Sequence, residues 1–348
     1  MIKHYTLEQS EEWDNIVKSF ENYDVYYLSG YVKAFALHGD GEPMLVYFES
    51  KQKPKTRAIN VIIRRDVADQ DEFKGILNKG EYFDSTTPYG YGSFIIEGEN
   101  VEELENEYKK FCYKQKIICE FVRFHPLLEN WNKLEDFYET TLLGNTVYID
   151  TTSEETIWQN MISQCRNKIR KATKNGLKVY WGRYPEIIDD FMAIYNETMD
   201  KDNATDYYYF KRDFYESILD DLKDQAMWFY AKKDDEIVAS AIFMFCNGNV
   251  HYHLSGAKRE YQKFAPINLI LAEAALWACN HGYKKLHMGG GLGAQEDDLY
   301  KFKKSFNRQE DAQFYIGKRI WNQEKYDYLV NNRIGLDQNC SYFPLYRG

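Results

Sequence analysis

Helical stripes and short aliphatic strands alternate along nearly the whole chain, in two runs of similar order. A helix must bury one stripe and a strand one face, so this alternation restricts the chain to α/β layers. In the first run, VYYLSGYVKAFALHGD reads as a short strand and a helix, and MLVYFES and AINVIIRRD read as a hairpin around KQKPKT. A loop, STTPYGYGSFII, a helix near VEELENEYKKFCYKQ and a strand, CEFVRFHPLL, complete it. The second run opens at TVYIDTTSEETIW, where Thr152 and Glu155 stand at capping-box spacing before a stripe of Trp158, Ile162, Cys165, Ile169 and Ala172. That helix is expected to stop at Asn175 and Gly176, before strand LKVYWG, two helices and three antiparallel strands. At 348 residues the chain exceeds one ordinary core. Two domains are expected, at 1–147 and 148–317, with 318–348 packing back on the first.

The 44% hydrophobic and 28% charged composition is that of a globular protein. The first residues, MIKHYTLEQSEEWDNI, carry no apolar run, and no stretch elsewhere reaches the length of a membrane span, so a cytoplasmic protein without a span is expected. Six cysteines lie scattered without CxxC spacing, which points to reduced thiols and implies no metal. A net charge of −10 opposes broad adhesion to nucleic acid, so DNA is not an expected partner and any RNA contact must be local.

One local exception is the segment from Arg166 to Lys178, with six Lys or Arg and no acid. Arg166, Arg170 and Lys174 share a helix face, where arginine forks suit phosphate oxygens; a solvated face explains them equally well. From His251 the order is strand (HYHLSGA), polar loop (KREYQKFAP), amphipathic helix (INLILAEAALWACNHG), strand (KKLHMGGG), glycine loop and short helix (DDLYKFKKSF). Alternation sends His251 and His253 to one face of that strand and Tyr252 to the other. His253 has the ordinary pKa range of a general base, although a histidine in a strand is more often structural. Gly289, Gly290 and Gly291 permit close approach of backbone to a ligand, or simply a tight turn. Asp298 is a candidate helix cap. In the first run, Pro88, Gly90 and Gly92 set turns that present Tyr89 and Tyr91 either to a ligand or into packing. The aromatic run from Tyr207 to Phe210 either lines a cleft or covers the core.

Three of these pieces, RNKIRKATKNGLKV, HYHLSGA and the triglycine followed by LYKFKKSF, resemble in order and spacing the FemABX peptidyltransferase branch of the GNAT acyltransferases. The resemblance spans most of residues 20–320. It implies two tandem GNAT-like domains of α/β (α+β) class, with mixed, mostly antiparallel sheets flanked by helices. It further implies transfer of an amino acid from aminoacyl-tRNA to an amine of a peptidoglycan or lipid-linked precursor, without metal or prosthetic group. By the same resemblance Phe302 and Lys303 lie at the reacting centre. There the Lys303 ammonium would stabilise the charge that grows on the carbonyl oxygen. Arg166 and Arg170 would lie by the donor and acceptor clefts, and Lys33 would meet the acceptor's phosphate.

The chain departs from coenzyme A enzymes of the GNAT class where a glycine turn would hold the pyrophosphate. Ala265 and Pro266 stand there, and proline offers no amide donor. The helical hairpin that some FemABX members insert has no room here. The donor therefore stays open between the acceptor end of an aminoacyl-tRNA and an acyl-CoA. Two other readings stand beside the first: an acyl-CoA-dependent N-acyltransferase acting on an amino sugar of a surface polysaccharide, and an inactive GNAT-like module that binds an envelope precursor.

Overall fold

A computed structural model describes residues 1–51, 53–337 and 340–348. The chain divides into two compact units, Met1–Leu143 with Phe314–Gly348, and Gly144–Gln313. Both divisions fall a few residues before the expected ones.

The first unit runs β1 (Ile2–Tyr5), α1 (Ser10–Lys18), α2 (Ser29–His38), β2 (Glu42–Glu49), β3 (Arg57–Asp66), β4 (Phe83–Thr86), β5 (Ile95–Glu97), α3 (Val101–Lys114) and β6 (Ile117–Arg123). Next come β7 (Glu139–Asp150), α4 (Glu154–Asn160), α5 (Ser163–Lys174), β8 (Leu177–Gly182), α6 (Ile187–Lys201), α7 (Arg212–Asp221), β9 (Ala226–Lys233), β10 (Glu236–Cys246) and β11 (Asn249–Ala257). α8 (Pro266–Asn280), β12 (Lys285–Gly289), α9 (Asp298–Lys304), β13 (Ala312–Ile320) and α10 (Gln323–Asn332) follow, β13 leading back into the first unit. The class is the expected one, mixed α/β with mostly antiparallel sheets and flanking helices.

In the first unit the strands lie in the order β1-β2-β3-β4-β6-β13, antiparallel except for β4 and β6. The hairpin expected around KQKPKT is β2–β3, paired from Glu42↔Arg64 to Glu49↔Arg57. The strand expected at VYY is instead a 3-10 turn, Val25–Tyr27, because the Asp24 carboxylate accepts the Val25 N–H at 2.6 Å and caps it. The C-terminal residues are tied to this unit through the buried Asp84 carboxylate, which accepts from Arg65 at 2.7 Å, Arg347 at 2.5 Å and the Tyr346 hydroxyl at 3.0 Å.

In the second unit the order is β7-β12-β11-β10-β9-β8, antiparallel except for β11 and β12. Phe243 and Phe245 of β10 join Cys165, Ile169, Leu271 and Ala275 in the core beneath α5 and α8, while Ile242 and Met244 turn to the face on which α6 packs. The long stripe from Trp158 to Ala172 is not one helix. It breaks at Met161, whose backbone is extended, and the Ile162 N–H leaves the helix to bond Ser305 O at 3.0 Å. The cap is Ser153, accepting the Thr156 N–H at 3.0 Å, rather than Thr152. α5 ends as expected, at Lys174, with Gly176 at a φ of 81°.

Candidate active site

The site of the second unit is built around β11. Asn247 and Gly248, both at positive φ, turn β10 back into β11. Tyr252 faces Phe243, yet Ser255 faces Ala241, so β11 carries one more residue than β10 over this stretch. Such a bulge re-aims the side chains beyond it. On its other side β11 pairs with β12 only at Asn249↔Lys285, Val250↔Leu286 and His251↔His287, and then the two parallel strands part. Past the bulge, Gly256 presses against α6, where a Cβ would lie 2.7 Å from Ile194 O and 2.8 Å from the Thr198 hydroxyl. The Ala257 N–H donates to that hydroxyl at 3.2 Å.

A 3-10 turn, Arg259–Phe264, carries the chain to α8, entered through Ala265 at a φ of 57° with Pro266 in the first helical position. The amides of Ile267 and Asn268, in the first turn, have no carbonyl one turn earlier to bond, so they give this helix end its positive potential. Here lies an open groove of about 580 Å³. Lys168 and Lys171 of α5, Lys201 of α6 and Lys263 of the turn line it, with Asp202 the sole acid among its lining residues. Its apolar wall includes Phe302 and Leu299 of α9, and Tyr252, Ser255 and Gln262 supply polar atoms. The Tyr252 hydroxyl and Ser255 Oγ share a hydrogen bond. Burial pushes the Tyr252 phenol up to about 12, the bond to Ser255 opposing. At neutral pH this group holds its proton and can donate it.

Lys303, next to groove-lining Phe302, does not line the groove. It is buried, and its Nζ donates to Gly290 O at 2.6 Å, where β12 ends. Burial lowers its pKa to about 8, with the Asp297 carboxylate opposing. Asp297, not Asp298, caps α9: it accepts the Tyr300 N–H at 2.8 Å and the Leu292 N–H at 2.9 Å, folding the glycine loop over the helix end. Gly291 has no room for a side chain, since a Cβ would lie 2.1 Å from Gln295 O. A Cβ at Gly290 would sit 2.8 Å from Asn145 O, and Gly289 takes a φ of 74°. The triglycine thus closes a compact turn around the lysine.

The remaining expected residues are spread more widely. The Arg166 guanidinium is turned inward, donating to Met161 O, Trp158 O and the Ser163 hydroxyl across the α4–α5 break. That internal service corrects its reading as a phosphate fork. Arg170 is exposed and donates to Asn167 Oδ1 at 3.1 Å, outside the groove lining. His253 is half-buried, and burial with neighbouring His251 lowers its pKa to about 3, which leaves it neutral but a weak base. Tyr207 stands outside the groove lining, edge-on to Tyr208 and Phe210. In the first unit, Lys33 is exposed on α2; Tyr89 stacks on Phe35, and Tyr91 packs edge-on to Tyr26 and Phe314. The groove lysines at 168 and 171 belong to the basic segment flagged in the sequence, but to a different face of its helix. Their signal was there to read, because the buried positions 165, 169 and 172 fix which residues flank the core. Lys201 and Thr198, by contrast, had no local signal.

Residues 159–304 match the model of an acetyltransferase (GNAT) domain. The second unit is a GNAT-type acyltransferase domain. Among solved structures, FemX shares 15% identity with the chain, with a TM-score of 0.66, over 94% of this chain and 99% of its own. A conserved protein of unknown function from Bacteroides thetaiotaomicron shares 14%, with a TM-score of 0.60, over 91% and 98%. The C-terminal domain of a putative lysylphosphatidylglycerol synthetase from Agrobacterium fabrum shares 13%, with a TM-score of 0.58, over 94% and 95%. At these identities the likeness concerns the fold alone, and it extends beyond the matched segment. No sequence match was found among curated proteins. Among the described residues, no helix is long and apolar enough to cross a membrane.

Proposed function

We propose that the groove of the GNAT unit transfers an amino acid or acyl group from a phosphate-bearing carrier to an amine of a cell-envelope precursor, as FemABX enzymes do. The observation that carries this reading is the set of four lysines from three elements gathered at the N-terminus of α8. Clustered ammonium groups and a helix N-terminus together favour phosphate oxygens. The fold likeness to FemX over nearly the whole chain supports the FemABX assignment within the broader superfamily.

In the proposed reaction the acceptor amine attacks the donor carbonyl, forming a C–N bond, and the C–O bond of an ester or the C–S bond of a thioester breaks. Tyr252, still protonated at pH 7, donates to the departing oxygen or sulfur and regains a proton from solvent, while Ser255 holds its hydroxyl in place. The attacking amine gives up its proton to solvent, since His253 is too weak a base at a pKa of about 3. Lys303, outside the groove lining and bonded to Gly290 O, would act from behind Phe302 by its field alone, stabilising negative charge on the carbonyl oxygen without touching it. Its low exposure strengthens that field.

Incubating the full chain with aminoacyl-tRNA and a nucleotide-linked muramyl peptide, and following the acceptor by mass spectrometry, tests the proposal. A mass gain of one aminoacyl residue is expected; no transfer from any aminoacyl-tRNA would sink the FemABX reading. The second reading, an acyl-CoA-dependent transfer to an amino sugar, draws on the acetyltransferase description of the matched domain. Calorimetry with coenzyme A separates the two. Micromolar binding favours the thioester donor, and its absence favours the tRNA end.

A further inference from the structure

We infer that the free edge of β8 pairs with the same edge of a second copy of this chain, forming a two-fold antiparallel junction. Among the described residues, β8 ends the sheet of the second unit: it pairs with β9 from Leu177↔Lys233 to Gly182↔Trp228, and no strand lies beyond it. An edge strand presents a row of backbone groups ready to pair, and natural proteins usually blunt it with charge or proline. β8 has neither proline nor acid, and its single charge is Lys178. Instead it exposes two neighbouring large aromatics, one on each face, Tyr180 at 44% and Trp181 at 48%.

The side chains favour a second copy over other occupants. Facing residues of an antiparallel pair lie on the same side of the sheet, so a two-fold junction must be centred on a residue whose neighbours match by parity. Centred on Tyr180, it sets Tyr180 against its own copy, Val179 against Trp181, and Lys178 against Gly182. Every aromatic then gains an aromatic or β-branched partner, and no like charges face each other. Tyr180 already stacks on Tyr230 at 5.9 Å across the β8–β9 ladder, and the junction would continue that ladder into the partner. On the other face Trp181 stacks on Phe229 at 5.8 Å, which holds it upright at the edge. The tyrosine face also carries Lys178 and Lys232, the latter's Nζ 5.9 Å from both the Tyr180 and Tyr230 rings, so a single-stranded nucleic acid on a monomer is the outcome that competes with self-pairing.

Sedimentation velocity of the full chain, with three variants, tests the inference. Wild type is expected to form a dimer that strengthens with concentration up to ~100 μM, a range in which modest interfaces are populated. Tyr180→Lys sets like charges face to face and is expected to weaken dimerisation at least tenfold with unchanged circular dichroism. Under mild oxidation Tyr180→Cys is expected to give a covalent dimer that reductant reverses, because facing Cα atoms in such a ladder lie within disulfide reach. Tyr207→Cys, an exposed control elsewhere on the unit, is expected to give none. A strictly monomeric wild type, a dimer untouched by Tyr180→Lys, or no cross-link from Tyr180→Cys overturns the inference.

Discussion

Two buried ionisable residues show how burial sets behaviour at the scale of a single side chain. Burial lowers the pKa of Lys303 to about 8 by desolvating its ammonium, which donates a hydrogen bond to the Gly290 carbonyl. Replacing it with Met removes a buried charge without leaving a void, so the melting temperature is expected to hold. Transfer should fall by about tenfold, less than the two to three orders of magnitude lost with a donor that touches the oxyanion, because Lys303 acts from outside the groove lining. If the ammonium is the working form, the transfer rate declines as pH rises through about 8, and the decline disappears in Lys303→Met. The stability effect has the opposite sign. The folded pKa lies below the unfolded value near 10.4, so the unfolded state binds more protons between them, and stability rises with pH over that window. Glu120 in the first unit is shifted up instead, to about 7, because burial outweighs hydrogen bonds from Tyr108 at 3.0 Å and Tyr138 at 3.1 Å. There the folded state binds more protons, and stability falls as pH rises from roughly 4.3 to about 7. Denaturant titrations at several pH values are expected to show this slope in wild type and its loss in Glu120→Gln.

Among the elements, β11, α8 and α5 make the site, and they were legible to different degrees. The order from β11 to α9 could be read from apolar period and turn residues alone. The bulge in β11 could not, because one extra residue leaves no mark in a strand whose two faces are both largely covered. The α4–α5 break was equally hidden: the stripe from Trp158 to Ala172 keeps helical period across it, and the Ile162 N–H bonds a residue far along the chain, Ser305. Arg166 misled for the same reason, since an arginine committed to carbonyls of its own break looks in sequence like one facing a ligand. The glycine loop after β12 makes a sharper test of packing. Gly291→Ala forces a methyl against Gln295 O and the Asp297 carboxylate, and is expected to destabilise the protein by about 2 kcal/mol, the scale of overpacking. Chemical denaturation measures it, and an unchanged midpoint would show that the loop yields freely.

For the molecule as a whole, alternation and length anticipated two units and the class of fold, because those depend on patterns repeated over many residues. The groove was less legible. Its lysines come from α5, α6 and the turn before α8, and only the folded sheet assembles them. An overall charge of −10 makes that local reversal of sign informative about the donor. The most direct test of the account is the steady-state kinetics of transfer by wild type and by the double variant Lys168→Glu, Lys171→Glu. Both residues are exposed, so the fold is expected to hold. In the double variant the donor KM is expected to rise at least tenfold, with a smaller change in kcat and an unchanged acceptor KM. An unaltered donor KM, or a wild type that transfers from neither aminoacyl-tRNA nor acyl-CoA, would contradict that account.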